Sequence, residues 1–363
     1  MMNRLRLLTV VALILAVVTY QLKKDESLTV ANGAGLVINP DWLQNLEQPL
    51  TPEEDRRPPD QTFLTFPEWF LVHSPAEQAE DFKRRTATQF PFTDHVSQIW
   101  GSYAVINEQI KEYFPHNAEY HMMIKVIGVS STIEYWLRQA YELVIGRITD
   151  TVKPVTAEDQ FNQQYMQDYV HFIHESPWYL FDFTAQLGKL WSDTPWWGGH
   201  MFRKLERRYV LTSELMVKAA YGYLIGLGTR ELYGVAAPTT AVVVTGLSLD
   251  QLSAFQVNAS FSTDKHLVYL PRYRPFRQAA MSLAKQGGVF AEIAGNDSAI
   301  LLSVLTDRGW QMQDPLVQRV FTQPIPADDQ RQRVALVTPV PHLHQLLLAL
   351  NEQDIVLEHV YDF

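Results

Sequence analysis

The chain has no cysteine in its 363 residues. Disulfides, thiolate metal sites, cysteine nucleophiles and a lipid-modified cysteine are therefore excluded. Other signatures are missing too. No G-x-S-x-G elbow, P-loop or Rossmann fingerprint is present, and Gly33-Ala34-Gly35 lacks the third glycine of the last. His171 and His174 share a helix face, with Glu175 beside them. No histidine has a glutamate three residues before it and HExxH is absent, so neither a carboxylate-bridged di-iron site nor a zincin site is expected. The expectation is no metal and no cofactor. Positive charge is also scarce: 30 Lys plus Arg against 40 Asp plus Glu give a net charge of −10. Such a chain repels phosphate as a whole, so nucleic acid is not an expected partner.

What is present first is an N-terminal apolar segment. Arg4 and Arg6 precede a run from Leu7 to Leu22, and Lys23 and Lys24 close it. The run is short for a spanning helix, but Leu5 extends it and the flanking cations can snorkel. No A-x-A-like site follows, which argues against a cleaved signal peptide. Residues 1–24 are thus expected to be a membrane anchor, with contact through residues 5–22. The expected setting is a bacterial inner membrane, crossed once, with the bulk on the periplasmic side.

Residues 25–60 carry loop chemistry, including Asn32-Gly33-Ala34-Gly35 and a proline-flanked charged run from Pro49 to Pro59, and read as a tether. Trp42, Leu43 and Leu46 suit one helical turn packed back on the body. Residues 61–237 read as a helical domain, with helical patterns over about 93–114, 118–148, 157–175, 178–191 and 199–233. Pro67 suits a first helical turn, Ser74-Pro75-Ala76-Glu77 reads as a capped helix start, and Thr156-Ala157-Glu158-Asp159 as another. From Pro238 the texture changes to β-branched runs alternating with two helical patterns. Strands are expected at Thr240–Thr245, His266–Leu270, Val289–Ile293, Ala299–Leu305, Arg333–Val337 and Ile355–Tyr361, with Gly295-Asn296-Asp297 as a hairpin turn. The fold class is α+β: an anchor helix, a mostly α-helical domain, and a ferredoxin-like α/β module over residues 238–363. No internal repeat is apparent.

The chemistry that stands out is charge inside apolar helices. Glu134, Arg138 and Glu142 recur at i, i+4 and i+8 in a helix otherwise apolar enough to be buried nearly all round. Buried charges are costly unless paired, so a partner helix is implied, and a bilayer span by this helix is disfavoured. The later helix offers Arg203, Lys204, Arg207 and Arg208, then Glu214 and Lys218. Its Gly222-x-x-x-Gly226 suits close approach of another helix, with Gly128, Ser130 and Ser131 as the facing residues. Glu134, Arg138, Glu142, Arg207, Arg208 and Glu214 are the candidates for a polar cavity floor. Two clusters mix cations and rings: Arg272, Tyr273, Arg274 and Arg277, and the Trp196-Trp197 pair. Either can meet anionic headgroups or a partner.

The combination of Phe66-Pro67-Glu68-Trp69, Glu206-Arg207-Arg208 and Ala294-Gly295-Asn296-Asp297 resembles bacterial membrane-anchored proteins, and that resemblance implies no activity. The expected function is a binding or assembly module for a protein or ligand at the membrane. The alternative is an enzyme or carrier for an amphipathic, lipid-like substrate held in the helical domain.

Overall fold

The computed structural model describes residues 29–30, 38–44, 48–150, 155–232 and 238–361. The expected anchor, residues 1–24, lies outside them, as do most of residues 25–37. Among the described residues no helix is long and apolar enough to cross a membrane.

The chain is a mixture of helices and two antiparallel sheets. In chain order come β1 (Thr29–Val30), α1 (Gln61–Glu68), α2 (Phe70–Asp81), α3 (Phe92–Ile110), α4 (Ala118–Tyr141), α5 (Ala157–Ile173), α6 (Phe183–Asp193) and α7 (Met201–Leu232). Then follow β2 (Thr239–Thr245), β3 (Gln256–Ser260), β4 (Lys265–Pro271), α8 (Arg274–Lys285) and β5 (Val289–Ile293). The last are β6 (Ala299–Asp307), β7 (Gln318–Ile325), β8 (Asp328–Pro339), α9 (Leu343–Glu352) and β9 (Val356–Val360). They form two compact units. One holds the described parts of residues 1–69, 96–132 and 237–363; the other holds those of 70–95 and 133–236.

The first unit contains an internal duplication. β2-β3-β4-α8-β5 makes a four-stranded sheet in the order β3-β4-β2-β5, and β6-β7-β8-α9-β9 makes a second in the order β7-β8-β6-β9. All pairs are antiparallel. The irregularities match as well. The β2/β5 register shifts between Val243 and Val244, and the β6/β9 register between Ser303 and Val304. The β3/β4 shift falls between Val257 and Ala259, and a β7/β8 shift between Arg319 and Phe321. A bulge inserts one unpaired residue and bends its strand, so bulges at matching places give both sheets the same curvature. Each repeat carries one split β-α-β, with β2 between β4 and β5 and β6 between β8 and β9.

Both repeats feed one core. Val242 and Val244 of β2, Phe276 and Leu283 of α8, Leu302 and Val304 of β6, and Leu343 and Leu347 of α9 all belong to it. The second sheet buries its other face too, with Leu301 and Val337 against Phe63, Phe66, Ile106 and Ile124. Burial on both faces explains why β2 and β6 read as unbroken apolar runs rather than alternating ones.

Three local expectations are corrected. A tight turn does form at Gly295-Asn296, closed by one antiparallel bridge between Ile293 and Asn296, but it joins no hairpin, because β5 pairs with β2 and β6 pairs with β8 and β9. It is the crossing from one repeat to the next, so the strands expected in one ferredoxin-like sheet are divided between two. Ala294 and Gly295 turn the chain at φ 50° and 80°, and Arg57 N–H donates to Ala294 O at 2.8 Å. Ser74 does not cap a helix; α2 begins four residues earlier, and the Ser74 hydroxyl meets the Tyr135 hydroxyl instead. Pro67 stands near the end of α1, where it helps break the helix before α2, rather than in a first turn. The Thr156 start is a full capping box. Described parts of residues 25–60 pack on the first unit: Ile38 and Leu43 are buried, and Glu292 accepts from Leu50 N, Thr51 N and Thr51 Oγ1 at 2.7, 2.9 and 2.7 Å.

Candidate functional site

In the second unit α7 is inverted. Its buried side carries Arg203, Lys204, Arg207 and Arg208 together with Leu211 and Leu215, while Phe202, Leu205, Tyr209, Met216, Val217 and Leu224 are exposed. Helices in water show the opposite arrangement. The inversion is possible because every one of those cations meets an acid.

The ladder seen in the sequence supplies three of the rungs. Lys218 lies 3.8 Å from Glu134 and 3.1 Å from Glu214. Arg138 is paired with Glu214, lies 3.3 Å from Glu134 and donates to Gln78 Oε1 at 3.1 Å. Arg207 Nη1 and Nη2 donate to the two Glu142 oxygens at 2.7 and 3.1 Å, and Arg207 also grips Glu206. The residue numbers rise along α4 as they fall along α7, so the two helices run antiparallel across the ladder. Thr88 Oγ1 donates to Glu142 at 2.8 Å. Gly146 is required beside it, since a Cβ there would fall on the Glu142 carboxylate.

The remaining cations find acids that the sequence reading did not single out. Arg203 meets Asp159 at 2.8 Å, and Lys204 and Arg208 share Glu158 at 3.0 and 2.8 Å. Arg208 also donates to Thr194 O at 3.0 Å and lies 4.5 Å over the Trp196 ring. Glu158 and Asp159 were legible only as first-turn acids of α5; their placement in the first turn also sets them opposite α7. Of the six polar candidates, Glu134, Arg138, Glu142, Arg207 and Glu214 therefore join in the ladder itself, and Arg208 belongs to a neighbouring cluster around Glu158.

Burial and charge act against each other in this network. Burial pulls Arg138 and Lys218 down, but Glu214 and Glu134 together outweigh it and hold both above their ordinary values. Burial likewise pushes Glu214 up, and Arg138 and Lys218 overcome it, so this carboxyl lies below its usual 4.5. Burial, with Glu134 nearby, raises Tyr135 to about 12. The sign follows for Glu214: its folded value is depressed, so its contribution is present above pH 4.5 and fades as pH falls through the folded value. For Lys218 the contribution is present below pH 10.5 and fades above its raised value. Burial raises Asp60, Glu68 and Asp81, which act in the opposite direction at low pH. The stability difference between wild type and Glu214→Gln isolates the ladder. It should be flat near neutrality and shrink below pH 4.5 in thermal unfolding; a difference that grows on acidification would be inconsistent with the depressed carboxyl.

The glycines of α7 do not face Gly128, Ser130 and Ser131. Gly222 lies against Tyr179, where an added Cβ would sit 3.3 Å from Tyr179 O, and Gly226 lies near the Tyr179 ring. The close approach is by the turn Trp178–Leu180, which packs on α7. In the first unit, Gly128 instead makes room for Trp100.

The two aromatic-basic clusters differ. Arg277 is tied into the first unit, donating to Leu357 O at 2.5 Å and Glu358 O at 3.2 Å. Tyr273 precedes α8 with φ 63°, Arg272 lies 5.4 Å over its ring, and Arg274 opens the helix. Trp196 and Trp197 are exposed, the latter by 82%. The Phe66-Pro67-Glu68-Trp69 motif is absorbed by packing: Phe66 meets Phe321 edge-on at 5.0 Å, Trp69 stacks on His359 at 3.4 Å, and Glu68 accepts from the Tyr120 hydroxyl at 2.5 Å.

No family model matches the chain, and neither a curated protein nor a solved structure matches it.

Proposed function

We propose that this chain is a membrane-anchored binding or assembly protein, held by residues 5–22 and presenting its duplicated α/β unit to a protein partner. The supporting observation is a difference between the repeats. In the second, β1 adds to the outer edge of β7, pairing Thr29 with Thr322 and Val30 with Phe321. The matching positions of the first repeat are Ser260 and Ala259 of β3. Among the described residues β3 has a neighbour on one side only, β4. An open edge offers unpaired N–H and C=O groups to an extended segment, and strand addition is a common mode of peptide recognition. The partner on this reading is a protein segment of β-branched character, laid antiparallel on β3 as β1 lies on β7.

Photo-crosslinking tests it. With p-benzoylphenylalanine at exposed Gln256, membranes should yield a discrete adduct whose crosslinked peptide maps to an extended segment. The same group at exposed Glu352, on α9, serves as control. Adducts of the same kind at both positions, or none at Gln256, would count against the proposal.

A further inference from the structure

We infer that the outward sides of α4 and α7 in the second unit form a lipid-contact surface, seated flat on a bilayer, separate from the anchor at residues 5–22. This rests on the reading that the chain is at a membrane, and it concerns a different part of the molecule.

On α4 and the π turn that continues it, Leu137 and Val144 are exposed by 67% and 60%. Phe202 and Met216 of α7 are exposed by 87% and 57%. The charged residues of the α7 stretch between Phe202 and Leu224 are turned inward and paired. On α4 the half-exposed Glu134 is drawn to Arg138 and Lys218. Water gives no reason to bury four charges of one helix, turn three more inward, and expose its rings and aliphatic groups. A hydrocarbon boundary does.

The neighbouring helix gives the direction. α5 shows the ordinary polarity, with Tyr165, Met166 and Tyr169 buried and Gln160, Gln164 and His171 exposed. One side of the unit thus suits water and another suits apolar surroundings, which fits a unit lying on a bilayer better than one passing through it. Trp196 and Trp197 lie in the loop before α7, with Arg208 behind the Trp196 ring. Rings of this kind favour the headgroup boundary. A protein partner is the poorer fit for this surface. Protein interfaces carry a polar rim and regular hydrogen bonds, whereas the exposed residues of α7 between Phe202 and Leu224 include no charged side chain. The anchor supplies the remaining reason: a chain tethered through residues 5–22 meets lipid at high effective concentration.

The absence of cysteine makes the test direct. The full chain is reconstituted in phosphatidylcholine vesicles with a nitrobenzoxadiazole label on one introduced cysteine, at Leu137→Cys, Met216→Cys, Gln164→Cys or Ile14→Cys, and near-ultraviolet circular dichroism verifies the fold of each. Labels at 137 and 216 should emit to the blue and be quenched more by acyl-chain nitroxide lipids than by aqueous iodide. The label at 164 should show the reverse. Iodide access at both 137 and 216 would overturn the inference. So would protection from both quenchers, which would mean that a second copy or residues 5–22 cover the face. The label at position 14 reports on the anchor alone, so failure of the anchor reading is separable from failure of this one.

Discussion

Arg207→Ala is expected to destabilise the protein by roughly 3–5 kcal/mol, the cost of breaking a buried ion pair from one side. The guanidinium side chain is 2% exposed, and its two partners, Glu142 and Glu206, are nearly as deep at 6% and 7%. Removing the cation leaves Glu142 with the Thr88 hydroxyl but no counter-charge in the ladder. Glu206 fares better, because Arg203 lies 3.5 Å away. The double variant Arg207→Met with Glu142→Leu removes both members of the rung and fills their volume. It should cost much less than the single, since a buried pair replaced by packed apolar groups is often close to neutral. Thermal unfolding in a mild detergent reads both. Equal losses for single and double would show that Arg207 acts through packing on Tyr141, whose ring lies 5.8 Å from it, and not through charge.

The next rungs should respond unequally, although Glu134 and Arg138 look equivalent in the sequence. Arg138 is 16% exposed and joins Glu134, Glu214 and Gln78. Glu134 is 41% exposed, and its removal leaves Arg138, Glu214 and Lys218 connected. Arg138→Ala should therefore cost roughly 3 kcal/mol. Glu134→Ala should cost under about 1 kcal/mol, the range of partly solvated pairs. Denaturant unfolding midpoints of the two variants separate these cases. Comparable losses would place Glu134 inside the network's dry part and contradict the burial described for it.

The ladder was legible because i, i+4 spacing is a local property: Glu134, Arg138 and Glu142 must share a helix side. Their depth was legible only in part: Glu142 is buried and Arg138 nearly so, but Glu134 is 41% exposed, and the helix is not buried all round, since Leu137 and Val144 face outward. The identity of the partners was less so. Arg208 points to Glu158 rather than to α4, because its position on α7 turns it toward α5, and a sequence gives the angle around a helix better than the neighbour at that angle. The direction of the exposed face had a signal that went unread. Phe202, Leu205, Tyr209 and Met216 recur at helical spacing opposite Arg203, Arg207 and Glu214, and either stripe can be the buried one. Only the acids of α4 and α5, brought opposite the cations by the fold, decide it.

In the C-terminal half both helices and every described strand except β3 and β7 were legible from β-branched runs and apolar periodicity; β3 (QVNAS) is polar and β7 carries Pro324, so neither shows that pattern. The division into two sheets was not. Gly295-Asn296-Asp297 has the composition of a tight hairpin turn, and turn chemistry specifies a bend without specifying which strands pair afterwards. The duplication was hidden for a related reason. Matching positions such as Val242 and Leu302, or Val268 and Leu336, share burial rather than identity. Pro271 and Pro339, which end β4 and β8, are one matching pair that keeps its residue. Core positions tolerate exchange among apolar residues of similar volume, so the bulges and strand order outlast the sequence likeness.

A second unit that rests on lipid independently of the N-terminal segment should hold vesicles without it. The most direct measurement is flotation of the full chain carrying Val11→Asp and Leu15→Asp, which make residues 5–22 too polar to insert. In a density gradient at high salt, with phosphatidylcholine vesicles, the variant should still rise with the lipid, and adding Leu137→Arg and Met216→Arg should abolish the rise. If the Val11→Asp, Leu15→Asp chain remains folded at the bottom of the gradient, the outward faces of α4 and α7 do not bind lipid, and the account is contradicted.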